Sequence, residues 1–185
     1  MVVLGRRCGR LLAWLLAALA AGASLTAAQV AEHDVKAAYL YNFTRFVEWP
    51  ADVPAPNQPF RLCVVADETT TEAVRRTMAG ESVGGRETET IAPDSAADIR
   101  ACQILFVGRN VMARAAPLLD AAKGLPILVV GEAAGFAKSG AGAIEFVREQ
   151  SRVRFEVNVD VARQCRLSIS SRLLQVARET SGVKR

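Results

Sequence analysis

The feature that most constrains the fold is an alternation of short apolar runs with helical stretches through the middle of the chain. Phe60–Ala66, Gln103–Val107 and Ile127–Val130 are short runs rich in β-branched and other apolar residues, as is typical of buried strands. Between them, Thr69–Met78 and Val111–Lys123 have the spacing of amphipathic helices. Strands that alternate with helices predict an α/β fold with a mainly parallel sheet flanked by helices on both faces.

Helical and hairpin patterns flank this central alternation. Val35–Glu48 carries apolar residues at helical spacing, and Arg172–Thr180 follows a pair of capping serines. Ala143–Arg148 and Arg152–Val157 resemble the two strands of a β-hairpin. With no linker or internal repeat in sight, we predict a single domain over residues 29–185, with a C-terminal β-hairpin and helix.

The first 28 residues have the pattern of an export signal. Three arginines within the first ten residues precede an apolar run, Leu11–Leu25, and small residues follow up to Ala28. The run is shorter than the roughly 20 residues that span a bilayer. We therefore predict a signal peptide over residues 1–28 that is cleaved after Ala28. An uncleaved N-terminal anchor is the alternative.

Charge and residue types exclude several classes of function. The chain has 23 basic and 19 acidic residues, and the predicted signal holds three of the basic ones. The nearly balanced remainder does not favour a nucleic-acid binder. A single histidine, His33, excludes any metal site that needs two, and no phosphate-binding loop or serine-nucleophile motif occurs. Asp67, which follows the first strand, is expected to cap the next helix. We predict a protein that is not an enzyme and has no metal or cofactor.

Export changes how the cysteines are interpreted. Cys63 and Cys102 each lie near the start of an apolar run, so neighbouring parallel strands would place them at the same end of the sheet. A disulfide between them is geometrically plausible, because bridges persist in oxidising compartments. Two buried thiols are the alternative. Cys165 is left over and is expected to stay a thiol, with an intermolecular bridge as the other option.

An unusual aromatic cluster lies in the first predicted helix. A helix that buries one stripe cannot point all of these side chains inward. Tyr41 lies off the core stripe, beside Asn42, Arg45 and Glu48. The helix is either covered by the hairpin or the last helix, or its free side serves dimerisation or contact with a partner. For the second case we take these four residues, with Arg172 of the last helix, as candidate contact residues. The aromatic residues of the cluster are Tyr39, Tyr41, Phe43, Phe46 and Trp49.

Two stretches of the chain resemble a known family. Val35–Pro50, with the sequence VKAAYLYNFTRFVEWP, is similar to the opening signature of the YfiR/HmsC family. Arg154–Asn158 and Ser168–Leu174 resemble its closing signature. The turns at Val83–Arg86 and Gly131–Gly135 follow in the same order, so the resemblance covers essentially all of the predicted domain.

The resemblance implies a regulatory function without catalysis. Members of the family are exported proteins of the Gram-negative periplasm that restrain a membrane-anchored diguanylate cyclase by contacting its periplasmic part. This implies lower cyclic-di-GMP, less biofilm and, we expect, a homodimer. The resemblance also implies the Cys63–Cys102 bridge. The alternative function is a periplasmic small-molecule-binding protein, with its ligand at the carboxyl ends of the strands. The family often has asparagine where this chain has Glu145.

Overall fold

A computed structural model describes residues 32–182, and the predicted export signal lies outside them. The described helices are α1 (residues 32–46), α2 (Glu68–Met78), α3 (Ala96–Arg100), α4 (Met112–Ala122), α5 (Val159–Gln164) and α6 (Ser171–Val176), with a short 3-10 helix at Arg109–Val111. The strands are β1 (Val47–Glu48), β2 (Phe60–Val65), β3 (Ser82–Val83), β4 (Arg86–Ile91), β5 (Ile104–Val107), β6 (Leu128–Gly131), β7 (Ile144–Glu149), β8 (Arg152–Asn158), β9 (Ser168–Ile169) and β10 (Glu179–Ser181). Within the described range, none of the helices combines the length and apolar composition needed to cross a bilayer.

Eight strands form one sheet in the order β10-β8-β7-β6-β5-β2-β4-β3. The five strands from β7 to β4 in this order run parallel to one another. The hairpin strand β8 is antiparallel to β7, and β3 is antiparallel to β4. The prediction of a mainly parallel sheet with a C-terminal hairpin is confirmed.

Helices cover both faces of the sheet, as predicted. On one face α1 and α2 pack over alternate residues of the strands, including Leu62 and Phe106. On the other face α3 and α4 pack over the residues between them, including Leu105 and Val107. The central strands β2, β5 and β6 are buried on both faces, which explains their continuous apolar runs.

The predicted disulfide is present on the α3 and α4 face. Cys63 in β2 and Cys102 after α3 are bonded, with their Cα atoms 5.9 Å apart. Both side chains are buried within that apolar core. Cys165 is a free, half-buried thiol.

Two predicted helices end earlier than expected. α1 ends at residue 46, and Val47–Glu48 pairs with Ser168–Ile169 instead of continuing the helix. The last helix was expected to reach Thr180 but ends at Val176. The reason is tertiary: the backbone N–H of Arg178 donates to the carbonyl of Phe155, and β10 then pairs in parallel with β8.

Candidate interaction surface on the first helix

The inner side of α1 is an aromatic core contact with the hairpin. Phe43 has no exposed surface, and its ring stacks on Phe146 at 5.9 Å between centroids and meets Phe155 edge-on at 5.3 Å. Tyr39 also packs on both hairpin rings. The sequence left two alternatives for this helix, coverage by another element or contact with a partner. The inner side is covered by the hairpin.

Trp49 also has a structural role. Its indole N–H donates to the carbonyl of Gln103 at 3.1 Å, and its ring packs edge-on against Phe60 at 5.0 Å between centroids. The Gln103 side chain in turn accepts from the backbone N–H of Arg61 at 2.7 Å. These bonds join the segment after α1 to the amino ends of β2 and β5.

The other side of α1 is open. Asn42 and Arg45 are exposed on the helix, and Glu48 is exposed on β1. Arg172, in the first turn of α6, is exposed as well. Four of the five candidate contact residues are therefore accessible to a partner, and the fifth is Tyr41.

Backbone pairing brings α6 beside the end of α1. Glu48 pairs with Ser168 in the β1–β9 ladder, and the N–H of Ser170 donates to the carbonyl of Phe46 at 2.9 Å. The Ser170 hydroxyl then caps α6 by accepting from the N–H of Leu173. This arrangement places the start of α6, and with it Arg172, beside the end of α1. We call Tyr41, Asn42, Arg45, Glu48 and Arg172 the outer surface.

Tyr41 differs from the rest of the outer surface. It is half-buried, and its hydroxyl donates to a carboxylate oxygen of Glu81 at 2.6 Å. This hydrogen bond to the carboxylate raises the pKa of the phenol. Tyr41 therefore joins α1 to the turn after α2 and offers only part of its ring to a partner.

Sequence reasoning missed an apolar residue beside the outer surface. Val176 is 57% exposed and lies four residues after Arg172, so both occupy the same side of α6. An isolated exposed valine is ordinary on a protein surface, so the sequence alone does not single out Val176. Val176 adds apolar area to a surface that is otherwise polar.

The carboxyl ends of the strands are closed by a buried ion network. The ammonium of Lys36 lies 2.8 Å from a carboxylate oxygen of Glu32 and 2.8 Å from one of Glu132, which follows β6. Only 7% of Lys36 is exposed. Burial alone would lower the pKa of Lys36, but the hydrogen bonds to both carboxylates outweigh it and raise that pKa.

Other polar groups at this edge have internal partners too. The Asp67 carboxylate accepts from the N–H and the hydroxyl of Thr70 and caps α2, as predicted. Burial would raise the pKa of Asp67, but these hydrogen bonds lower it. The backbone N–H of Arg109 donates to Glu132. Within residues 32–182, no group of three or more metal-ligating side chains occurs.

Glu145 holds a loop in place. Its buried carboxylate accepts from the backbone N–H groups of Gly135 at 2.9 Å and Ala137 at 3.1 Å. It lies directly opposite Glu156 of β8, which pairs with Arg178 at 2.9 Å. Both carboxylates are thus satisfied within the fold.

Comparison with known proteins gives distant structural likeness. No curated protein matches the sequence significantly. An ABC domain in complex with L-Trp from Streptococcus pneumoniae is 13% identical, with a TM-score of 0.47 over 70% of this chain and 57% of that one. A conserved domain protein from Vibrio cholerae is also 13% identical, with a TM-score of 0.46 over 65% of this chain and 54% of that one. The chain therefore spans little more than half the length of either structure.

The family comparison is more informative. Residues 33–178 match the YfiR/HmsC-like family, a stretch that runs from α1 through α6. The chain belongs to the YfiR/HmsC-like family.

Proposed function

We propose that this protein is a non-catalytic periplasmic repressor of a membrane-anchored diguanylate cyclase. It is exported by the signal peptide at residues 1–28, and the domain that follows acts as a homodimer. By binding the periplasmic part of the cyclase it lowers cytoplasmic cyclic-di-GMP and biofilm formation. Family membership supports this function.

The outer surface is the proposed contact region. The observation that carries this choice is the difference between the two sides of α1. Its aromatic inner side packs against the hairpin, whereas Asn42 and Arg45 on its other side are exposed. Arginine is favoured at interface centres, and an exposed apolar residue such as Val176 adds area that binding can bury. The surface therefore combines a polar stripe with one apolar anchor.

Repression requires that the protein distinguish two states of the cyclase. A ligand that binds both states equally shifts no equilibrium, however tightly it binds. A hundredfold preference for the inactive state corresponds to about 2.7 kcal/mol of differential affinity. A few well-placed contacts on the outer surface are enough for that difference.

The alternative, a small-molecule binder, has less support at the place where we expected its ligand. Lys36, Glu132 and Asp67 at the carboxyl ends of the strands are engaged with one another or with the backbone. A polar ligand there would have to replace these bonds. No described observation at this edge favours that exchange.

The test is complementation of a deletion strain that expresses the matching cyclase. Deletion should raise cellular cyclic-di-GMP, and the wild-type gene should restore it. Arg45→Glu should fail to restore repression, because it reverses a charge in the proposed contact. Arg114→Glu on α4 is the matched control: it makes the same charge change at an exposed residue on the other face of the sheet.

The controls separate lost contact from lost protein. The periplasmic fraction should contain each variant at wild-type level, with an N-terminus near Gln29. If deletion leaves cyclic-di-GMP unchanged, the repressor function is wrong. If Arg45→Glu represses as well as the wild type, the contact lies elsewhere on the molecule.

A further inference from the structure

Part of the hairpin strand β8 has an open edge. β7 pairs with β8 along residues Arg152–Val157, whereas β10 reaches only Glu156–Asn158. Among residues 32–182, no strand pairs with the outer edge of Arg152–Arg154. A free edge carries backbone donors and acceptors that a further strand can use.

The backbone groups at this edge can be assigned from their neighbours. The carbonyl of Phe155 accepts from Arg178 on the β10 side, and the N–H of Asn158 donates to Ala143 on the β7 side. Backbone groups of alternate residues point to the same edge of a strand. The N–H and the carbonyl of Val153, two residues before Phe155, therefore point outward.

A groove follows this edge between β8 and the first turns of α1. Its volume is about 420 Å³. Apolar surface comes from Val35, which is 40% exposed, and from Tyr39 and Val153.

The charge of the groove is positive. Among the described residues that line it, the single acid is Glu32, which is already bound to Lys36 at 2.8 Å and lies 3.4 Å from Arg148. The Nε of Arg154 is buried and has no hydrogen-bond partner in the described part of the chain. Arg152 is exposed at the tip of the hairpin. Because Arg152 and Arg154 alternate with Val153 along β8, their side chains leave the strand on the face opposite α1. They flank the open edge, where they can meet acidic residues of a strand that pairs there.

We propose that this groove binds an extended acidic segment of a partner protein, which adds to the sheet as a strand beside β8. The N–H and carbonyl of Val153 would bond to the backbone of the segment. An apolar side chain of the segment would lie opposite Val153, against Tyr39 and Val35, because Val153 packs on the α1 side of the sheet. Its flanking residues would be acidic, opposite Arg152 and Arg154.

Charge argues against a second copy of this chain as the occupant. A two-fold symmetric pairing of two β8 edges is antiparallel, and centred on Val153 it would place Arg152 of each copy opposite Arg154 of the other. Like charges directly opposite destabilise strand pairing. The same arginines that oppose self-association favour an acidic strand.

The test uses a synthetic peptide of alternating glutamate and valine residues. Fluorescence anisotropy measures its binding to the purified protein, and amide hydrogen exchange of the protein measures protection of the β8 backbone. We expect saturable binding and slower exchange of the Val153 amide. Arg152→Glu should weaken binding about tenfold, since an attractive cross-strand contact becomes repulsive. Arg114→Glu should leave the affinity unchanged, and a lysine–valine peptide should bind more weakly.

A second variant isolates the backbone contact. Val153→Pro removes an outward N–H without removing a bond to β7, and proline is tolerated at such edge positions. It should keep the wild-type circular dichroism spectrum and lose the peptide. The proposal is overturned if the glutamate–valine peptide does not bind at millimolar concentration, or if Arg152→Glu binds it as well as the wild type. Protection of the Val153 amide by self-association without peptide would also overturn it.

Discussion

The two sides of α1 differ in what they contact. Toward the sheet, the helix presents a stripe that is almost fully buried and packs on the hairpin and the strand ends. Away from the sheet, Ala38, Asn42 and Arg45 are exposed. The buried residues of the helix are Lys36, Ala37, Leu40, Phe43 and Thr44, and Val47 of β1 continues this stripe.

This difference separates stability from recognition within one short motif. The conspicuous aromatic residues of the motif make contacts inside the domain: Phe43 packs on Phe146, and Trp49 donates a hydrogen bond to Gln103. The less conspicuous polar residues Asn42 and Arg45 are exposed. Substitutions on the inner side should therefore change the free energy of unfolding, and those on the outer side should change repression alone.

The largest effect is expected for Phe43→Ala. Removing this ring leaves a cavity between α1 and the hairpin, so the free energy of unfolding should fall by about 3–5 kcal/mol. Denaturant unfolding measures the loss. Asn42→Ala, the exposed neighbour, is the control and should change stability by less than about 0.5 kcal/mol. Equal losses in both variants would contradict the division of the helix.

Breaking the disulfide should be the next largest effect. The bridge joins residues 39 positions apart, and the double replacement Cys63→Ala with Cys102→Ala should lower stability by about 2–4 kcal/mol because the unfolded chain regains loop entropy. The bridge lies on the other face of the sheet. Its loss should therefore add to that of Phe43→Ala within about 0.5 kcal/mol. A larger coupling would mean that the α1 side is not an independent unit.

Lys36→Met tests the polar end of the buried stripe. It leaves Glu132 partly buried without its ammonium partner, so we expect a loss of about 1–3 kcal/mol at neutral pH. The hydrogen bond from Lys36 lowers the pKa of Glu32. This contribution is present above the ordinary glutamate pKa and is lost as pH falls through the folded value, which lies below the ordinary one.

The pH dependence provides the check on that variant. The raised pKa of Lys36 contributes stability below the ordinary lysine pKa of about 10.4, and this is lost as pH rises through the folded value. The difference in unfolding free energy between wild type and Lys36→Met should therefore be greatest near neutral pH and shrink in acid and in strong alkali. The interval from about pH 3 to about pH 8 covers the titration of a carboxylate. A difference in unfolding free energy that stays constant across it would exclude the ion network as the cause.

The smallest change in stability is expected for Tyr41→Phe. It removes the hydroxyl that donates to Glu81, in a solvated setting where such bonds contribute little. The melting temperature should shift least of the four variants, and repression should persist because the ring remains. Tyr41→Ala should reduce repression while the protein stays folded. A folded Tyr41→Ala protein that represses normally would remove Tyr41 from the outer surface.

Local pattern was enough to predict the centre of the fold. Strands such as Ile104–Val107 are buried on both faces, and this leaves a continuous apolar run that the sequence displays directly. The last strand, Glu179–Ser181, has no such signal because its residues are polar. It exists through its pairing with β8 and the bond from Arg178 to Phe155, which are contacts that no local pattern encodes.

The same limit applies to the outer surface and the ion network. Asn42 and Arg45 were identified because helical spacing places them off the apolar stripe. Lys36 lies on that stripe, four residues before Leu40, and a charge in this position requires a partner. Its partner Glu132 is far along the chain. The two residues meet because the fold brings the end of β6 beside α1, so no local pattern predicts the pair.

Cys165 has a consequence for oxidative folding. The chain after residue 28 holds three cysteines, so three different pairings compete whenever thiols are oxidised. Burial raises the pKa of the Cys165 thiol, and thiol–disulfide exchange proceeds through the thiolate. In the folded domain Cys165 is therefore a slow nucleophile, and the bond between Cys63 and Cys102, once formed, is protected from attack by the remaining thiol of its own chain.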